Sequence, residues 1–333
     1  MHIISGEKIV MKMYGKCKCT AEIRTKVKEY SKKYRKYAFS ERNCTSKEQY
    51  EAVITRKYHT IEKGLAYICF HPGFGTKKID SLLTTMEEYI AEGYEKNVFF
   101  YKAAICVLLV YIEKNRKYHF EDLNLEKRIT QLSKGLEIDR SLGGVISFFP
   151  PPIEMVQKLG YKDFFESRHS MRHFSKEPVD IKLLQEAIGI AQHTPSACNR
   201  QGWRTIIISN HQIILDVLKN QNGNEGFGHE IDKLLLITAD IRYFNLHREL
   251  FQPYVDGGMY AQSVINALHY FRIASIPLSA SLTTEQECNV RNLLKMDDAE
   301  IPILFIGTGN FPNEEECITT ASRRHEAFYT IVE

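Results

Sequence analysis

The chain has 333 residues, enough for one large domain or two moderate ones. Apolar residues make up 44% and charged residues 26%, a globular composition that argues against a disordered or fibrous protein. The net charge of +3 is unevenly spread, because residues 1–60 hold 15 Lys and Arg against 6 Asp and Glu.

A basic N-terminal part is compatible with binding nucleic acid or anionic lipid. In residues 27–39, however, Val27, Tyr30, Tyr34 and Tyr37 repeat at helical spacing. This pattern predicts a helix with an apolar stripe, whose lysines lie on a solvated face. We therefore predict no nucleic-acid partner.

Eight cysteines are scattered along the chain, and only Cys17 and Cys19 are close together. A C-x-C pair alone is a poor metal signature, so we predict no metal site. The N-terminus does not read as a signal peptide, which favours reduced thiols in the cytoplasm. The most apolar run, Val98 to Ile112, is too short for a bilayer and carries Lys102, so it predicts a buried helix and no membrane span.

Residues 1–160 are predicted to form an all-α N-terminal domain, with helices over 20–38, 46–69, 79–93, 97–115 and 122–138. Three consecutive prolines at 150–152 stop any helix and stiffen a connector. The domain boundary is therefore expected near 150–165, with a second domain over 161–333.

One segment of the helical part has two interpretations. His59, Glu62 and Lys63 share a helix face, and a Gly-Phe-Gly turn follows at 73–75. The simpler interpretation is a helix cap with a surface ion pair. The alternative is a substrate-selecting lid, with His59, Glu62, Lys63 and Phe74 as its substrate residues. In this lid His59 or Lys63 meets an anionic substrate and Phe74 limits access. A zinc site is excluded, because the second histidine of that motif is missing.

A polar cluster opens the second part of the chain at Arg168, His169, Ser170 and Arg172. Guanidinium and hydroxyl donors at this spacing suit a phosphate. A helix is predicted between Pro178 and Pro195, and a polar turn then precedes an apolar strand at 205–208. The turn carries Pro195, Ser196, Asn199 and Gln201.

Further elements are predicted in order as a helix at 211–220, a Gly/Asn-rich loop at 221–228, a strand at 234–238 and a central helix. Asp256 is the expected N-cap of that helix. A final strand from Ile301 to Gly307 is expected to end in the turn GTGNFPNE. Those glycines lack the helix and third glycine of a dinucleotide fingerprint.

The box RHSMR at 168–172, followed by a helix and the turn PSACNRQGW at 195–203, resembles the FMN-dependent nitroreductase family. Gly202 stands where that family usually has proline, which predicts a looser turn. The helical part is similar to an N-terminal extension of nitroreductase-like proteins from bacterial polysaccharide gene clusters.

The resemblance implies an α+β fold, a nitroreductase-like three-layer sandwich with a mixed, mostly antiparallel sheet flanked by helices. It also implies a homodimer with FMN at the interface. The implied activity is ping-pong hydride transfer from NAD(P)H through FMN to a nitro, quinone or activated alkene acceptor. Two alternatives stay open: a dehalogenase or flavin-cleaving relative, and a flavin-binding scaffold or partner-recruiting protein in polysaccharide biosynthesis.

The resemblance also implies roles for individual residues. Arg168, Ser170 and Arg323, with Arg324 in reserve, would hold the phosphate, His169 would flank it, and Arg172 would reach the ring. A loop at 276–280 would pass the flavin ring. The full implied cofactor set is Arg168, His169, Ser170, Arg172, Pro195, Ser196, Asn199, Gln201, Asn224, Ser275, Ser279, Ala280, Arg323 and Arg324. No catalytic acid, base or nucleophile is assigned, because the flavin carries the electrons.

Overall fold

A computed structural model describes residues 20–21, 23–25, 27–28, 31–32, 44–244, 249–312, 316–323 and 329–332. Within these residues the chain forms two compact units. The helical unit takes its residues from 38–150 and 314–333, and the mixed unit from 1–37 and 151–313. This division differs from the predicted one, because the chain returns to the helical unit after residue 313. The Cys17 and Cys19 pair and the predicted stripe of Tyr30, Tyr34 and Tyr37 lie outside the described residues.

The helices are α1 Lys47–Leu65, α2 Thr76–Ala91, α3 Phe99–Arg116, α4 Leu123–Ser133, α5 Ile153–Val156, α6 Tyr161–Ser167, α7 Ile181–Ala191, α8 His211–Leu218, α9 Gln252–Tyr270 and α10 Thr284–Leu294. The strands are β1 Val145–Phe148, β2 Trp203–Ile208, β3 Lys233–Asp240, β4 Ile273–Ser279, β5 Glu300–Asn310 and β6 Cys317–Thr320. Short 3₁₀ turns lie at Arg140–Leu142, Ala197–Asn199, Gly228–Glu230 and Ile241–Tyr243.

The mixed unit is built on a four-stranded antiparallel sheet of order β2–β3–β5–β4. Helix α9 contacts all four strands and α7, and Leu235 and Ile237 of β3 belong to its apolar core. Side chains alternate along a strand, so Leu234 and Leu236 face the other way, yet both are fully buried. Helix α8 contacts β2 and β3. Helices therefore cover both faces of the sheet, as expected for a three-layer α+β sandwich.

The segment expected to form a loop at 276–280 is instead mostly strand. Ser275 to Ser279 pair with β5 across Thr308 to Leu304. Pro277 is tolerated there because β4 is an edge strand, where one side of the backbone needs no ladder hydrogen bond. The expectation of a loop, which was implied by the family resemblance, was wrong for residues 276–279.

Two predicted boundaries also shift. Strand β5 continues through the expected glycine turn to Asn310, which pairs with Ile273. Helix α9 begins at Gln252, with a proline in its first turn, so Asp256 lies one turn inside the helix rather than at its N-cap. The side chain of Asp256 is buried and has other partners, described below.

The helical unit is organised around α3. Most of this helix is buried among α1, α2 and α4, which confirms that the apolar run from Val98 to Ile112 forms a core helix. Ser46 caps α1 by accepting a hydrogen bond from the backbone of Gln49, and Asp122 caps α4 in the same manner. The four predicted helices from 46 to 138 therefore exist, with ends that differ from the predicted ones by about one to five residues. In the described residues no helix is long and apolar enough to span a membrane.

The helical unit is not purely helical, which corrects the all-α expectation. Strands β1 and β6 form an antiparallel ribbon, with Val145 opposite Thr320 and Phe148 opposite Cys317. The backbone N–H of Ala321 extends the pairing by donating to the carbonyl of Gly144 at 3.2 Å. The C-terminal segment is therefore part of this unit.

Glu62 joins this ribbon to helix α1 from the interior of the unit. Its side chain is fully buried. The backbone N–H of Gly144 donates to Oε1 at 2.9 Å, the hydroxyl of Ser322 donates to the same oxygen, and His59 Nδ1 lies 3.2 Å from Oε2. A buried carboxylate needs such partners to offset its lost hydration. Glu62 therefore has a structural role, and the predicted substrate contact is corrected.

Phe74 is half-buried and packs against the core of the helical unit. Its ring lies so close to α1 that a Cβ at Gly64 would be 2.1 Å away. The hydroxyl of Tyr111 donates to the Phe74 carbonyl at 2.9 Å, which fixes the backbone of the turn as well. Gly64 is therefore required by close packing, and Phe74 packs against the core of the helical unit.

Replacement of Glu62 tests its structural role. Glu62→Gln keeps the shape but removes the charge and one acceptor, so we expect a loss of about 1.5–3 kcal/mol in the free energy of unfolding. Urea unfolding followed by circular dichroism measures this. Glu121→Gln, at an exposed position of the same unit, is the matched control and should be neutral. Equal stability of the two variants would contradict the assignment.

Candidate functional site

The polar box at 168–172 lies beside the edge strand β4. Ser170 forms a parallel bridge with Ser275, and the backbone N–H of Met171 donates to the Ser275 carbonyl at 3.0 Å. Just after the box, His173 Nδ1 lies 2.6 Å from Glu230, and the N–H of Phe174 donates to the same carboxylate at 3.2 Å. The structure therefore brings together two predicted site residues that are far apart in sequence, Ser170 and Ser275.

The two arginines of the box are drawn inward rather than extended into solvent. Arg172 is buried, with 9% of its surface exposed, and Arg168 is half-buried. Buried guanidinium nitrogens include Nη1 of Arg168 and Nε of Arg172. Desolvated cations favour anionic acceptors, and guanidinium groups match phosphate and carboxylate oxygens geometrically. The box therefore has the chemistry of an anion site.

A histidine that the sequence did not single out lies behind the box. His269, on α9, is buried, and its Nε2 lies 2.9 Å from the hydroxyl of Ser167. Burial, with the nearby positive charges of Arg168 and His169, lowers the pKa of His269 to about 4. His269 is therefore neutral at physiological pH, so the cluster does not gain a further cation. His269 lies on α9 among positions whose helical spacing predicts only burial in the core. The periodicity of the sequence therefore gave no indication of a functional role for this histidine.

The turn after α7 presents two amide side chains. Asn199 and Gln201 are exposed, and Gln201 Nε2 donates to Asn199 Oδ1 at 3.1 Å. This contact does not use the amide oxygen of Gln201 or the amide nitrogen of Asn199, so these two atoms can bind a ligand. The hydroxyl of Ser196 accepts the backbone N–H of Gln201 at 2.9 Å and closes the turn. The pair can therefore form hydrogen bonds with a ligand edge that carries both donors and acceptors.

Gly202 does not loosen this turn, contrary to the prediction. It is buried, and a Cβ there would lie 2.9 Å from the ring of Phe244 and 3.0 Å from Tyr243. A larger residue would displace these side chains. The glycine therefore permits close packing at the start of β2.

The side chain of Asn224 forms hydrogen bonds within its own loop. Its Nδ2 donates to the carbonyls of Leu218 and Gln221 at 2.9 and 2.7 Å, and to the side-chain oxygen of Gln221 at 3.0 Å. Buried Gln221 in turn donates to the Ser279 carbonyl at 3.1 Å. Asn224 and Gln221 therefore hold the Gly/Asn-rich loop against the end of β4, next to Ala280. The sequence missed Gln221, because a glutamine at the end of a helix has no distinctive pattern.

Other predicted residues belong to the helical unit or lie outside the described residues. Arg323 is exposed and belongs to the helical unit, and Arg324 lies outside the described residues. His59, Glu62, Lys63 and Phe74 also belong to the helical unit. The lid hypothesis and the role of Arg323 stay predictions.

A pocket of about 410 Å³ lies in the mixed unit among the ends of α6, α7 and α9. Its mostly apolar lining includes Phe164, Ile190, His193, Asn266 and Tyr270. Of the predicted site residues that the structure describes, Pro195 lines it. Groups of three or more His, Cys, Asp or Glu that could hold a metal ion are absent from the described part of the chain.

The segment that carries the box and the turn is similar to a known family. Residues 165–225, which span the box, α7, the turn, β2 and α8, match the model of the nitroreductase family. The match covers the segment in which the predicted motifs occur in order.

Individual nitroreductase-family relatives are distant. The iodotyrosine deiodinase of Haliscomenobacter hydrossis is 23% identical over 207 residues, which cover 54% of this chain and 92% of that protein. An FMN-dependent nitroreductase structure from Clostridium difficile has 16% identity and a TM-score of 0.40, covering 45% of this chain and 87% of its own. A nitroreductase family protein from Clostridium novyi NT has 13% identity and a TM-score of 0.42, covering 46% and 87%.

The neutral state of His269 predicts a pH effect on stability. Its pKa is about 4 in the fold against an ordinary 6.5, so the unfolded chain binds the proton first on acidification. We expect stability to be full above about pH 6.5 and to fall as the pH drops towards 4. Urea unfolding across this range should show a shallower pH dependence for His269→Gln than for the wild type. The exposed control His211→Gln should follow the wild type, and parallel curves for all three proteins would refute the assignment.

Proposed function

We propose that this protein is an FMN-dependent oxidoreductase that takes hydride from NAD(P)H and passes it to a nitro, quinone or activated alkene acceptor. The observation that carries the proposal is the placement of Arg168, Ser170 and Arg172 along β4, with Ser170 bridged to Ser275. The match of residues 165–225 to the nitroreductase family model supports it.

The residues fit the phosphate end of FMN. A phosphate monoester carries a charge near −2 at neutral pH and offers three acceptor oxygens. Two guanidinium groups and a hydroxyl within five residues supply charge-assisted donors to such a group. Because His269 is neutral, it adds no electrostatic repulsion to the two arginines. In our proposal Arg168 and Ser170 hold the phosphate, and His169 flanks it.

The turn residues fit the ring end of FMN. The pyrimidine edge of a flavin alternates carbonyl acceptors with an N–H donor. The Asn199–Gln201 pair offers an amide nitrogen and an amide oxygen side by side, which matches that alternation. Arg172 is assigned to the same ring, where a cation favours hydride uptake.

The protein supplies binding, orientation and exclusion of water. FMN, when bound, supplies the hydride-transfer chemistry, so no acid–base dyad is needed from the chain. Backbone groups near Ser275 and Ser279 are fixed by the β4–β5 ladder and by Gln221, so they form a rigid wall. Rigid elements hold a cofactor more precisely than mobile loops.

A second activity is favoured by one observation. The iodotyrosine deiodinase relative matches 54% of this chain, a larger share than the family model. Reductive removal of a halogen from an aromatic substrate is therefore the runner-up. It uses the same proposed flavin site with a different acceptor.

Replacement of Arg168 tests the phosphate assignment. Arg168→Ala removes a charge-assisted contact worth about 1.5–3 kcal/mol, so FMN affinity should fall about ten- to a hundredfold. Isothermal titration of the apoprotein with FMN measures the change. Lys176→Ala removes an exposed cation from the same segment and should leave the affinity unaltered. If both variants bind FMN as tightly as the wild type, the phosphate site lies elsewhere.

The reaction itself is tested by anaerobic titration. FMN-loaded protein should be yellow and should bleach when NADH or NADPH is added. Re-oxidation by a nitroaromatic or quinone, but not by a halogenated phenol, would support the main proposal. The reverse preference would favour dehalogenation. A flavin-loaded protein that neither donor bleaches would overturn the NAD(P)H-driven activity.

A further inference from the structure

Asp256 is a buried carboxylate that has no role in the function proposed above. It lies in the second turn of α9 with 2% of its surface exposed. Its Oδ2 accepts the backbone N–H of Ala197 at 3.1 Å, and its Oδ1 accepts the side-chain amide of Gln252 at 2.7 Å. Asp256 therefore connects the central helix to the turn that carries Asn199 and Gln201.

That turn has an unusual backbone. Cys198, Asn199 and Gln201 have φ angles of 52°, 54° and 52°, in the left-handed region. Residues with a Cβ adopt this region at an energetic cost, and asparagine tolerates it best. Three such residues within four positions persist only where neighbouring contacts hold them.

Several contacts hold the turn, and the one made by Asp256 is buried. Ser196 closes the turn on itself through the N–H of Gln201. Arg200 donates to the Ala197 carbonyl at 2.9 Å and to Glu249 at 2.8 Å, but Glu249 is partly exposed. The Asp256 contact fixes the first residue of the 3₁₀ turn, Ala197, to a helix of the core. Hydrogen bonds to charged groups are stronger than neutral ones, and more so away from water.

We propose that Asp256 is a positioning residue, which fixes the Asn199–Gln201 amide pair in the orientation that receives the flavin ring. This inference rests on the proposed function. Asp256 acts through the turn, without touching the cofactor. Its role depends on acceptor geometry at Ala197, so Asp256→Asn should preserve it: asparagine keeps one oxygen for Ala197 and can donate to a rotated Gln252 amide.

The first arm of the test needs no flavin. Amide hydrogen exchange of the segment 194–203 is followed in the apoprotein for the wild type, Asp256→Ala, Asp256→Asn and Tyr260→Phe. Tyr260→Phe is the matched control, because it removes a buried hydroxyl from the same helix that is bonded to Thr205 and Gln192 rather than to the turn. Exchange should rise about tenfold or more in Asp256→Ala, the effect of losing one such contact. Both other variants should stay close to the wild type.

The second arm is a double-mutant cycle in FMN binding. Asp256→Ala should weaken FMN about tenfold in the wild-type background, by loss of one charge-assisted contact. In a Gln201→Ala background it should weaken FMN by less than about threefold, because residues that act through each other are not additive. A residue that only stabilised the fold would weaken binding equally in both backgrounds.

The outcomes separate the two levels of the proposal. Faster exchange in Asp256→Ala, recovery in Asp256→Asn and a coupled cycle support the inference. Unchanged exchange in Asp256→Ala, an equal defect in Asp256→Asn, or additive effects with Gln201→Ala would overturn it while leaving flavin binding intact. If the wild type takes up no FMN, the proposed function fails and the flavin-directed role of Asp256 fails with it; the exchange arm still reports on the turn alone.

Discussion

The site depends on one backbone contact, the pairing of residues 170–171 with Ser275 on the outer side of β4. An edge strand presents unpaired N–H and C=O groups, which must be covered or used. Here the polar box covers them. The side chains of the box are therefore positioned by the sheet, whose strand order places β4 at its edge. Any shift of β4 along β5 would move the arginines with it.

The same edge explains why the site is assembled from distant parts of the chain. Gln221 reaches the end of β4 through the Ser279 carbonyl, and Glu230 holds the residues just after the box. The turn at 196–201 is attached separately, through the central helix and Asp256. Two supports, the sheet edge and α9, therefore hold two sets of polar groups. This division suits a long ligand with a charged end and a planar end.

The sequence predicted the presence of helices and strands better than the residues at which they end. It also predicted local motifs better than contacts between residues that are far apart in the chain. Periodicity identified α3 and α7 because apolar residues repeat along them, and β2 and β3 because apolar runs are bounded by turn residues. It failed for β1 and β6, because each is four residues long and is stabilised by a partner more than 150 positions away. The sequence also gave the wrong role for Asp256, because an acidic residue near the start of a helix predicts an N-cap. A buried hydrogen bond to a turn 59 positions away leaves no local pattern.

The ribbon of β1 and β6 has a consequence for how the chain folds. Phe148 lies opposite Cys317, so residues 151–313 of the mixed unit form a long insertion between two paired residues. Closing a loop of that length costs on the order of 4–5 kcal/mol of chain entropy if the loop is flexible. During synthesis β6 leaves the ribosome after every strand of the mixed unit. The helices between residues 47 and 133 can therefore collapse early, but the ribbon, and the burial of Glu62 against Ser322, must wait until residues 317–322 have been synthesised.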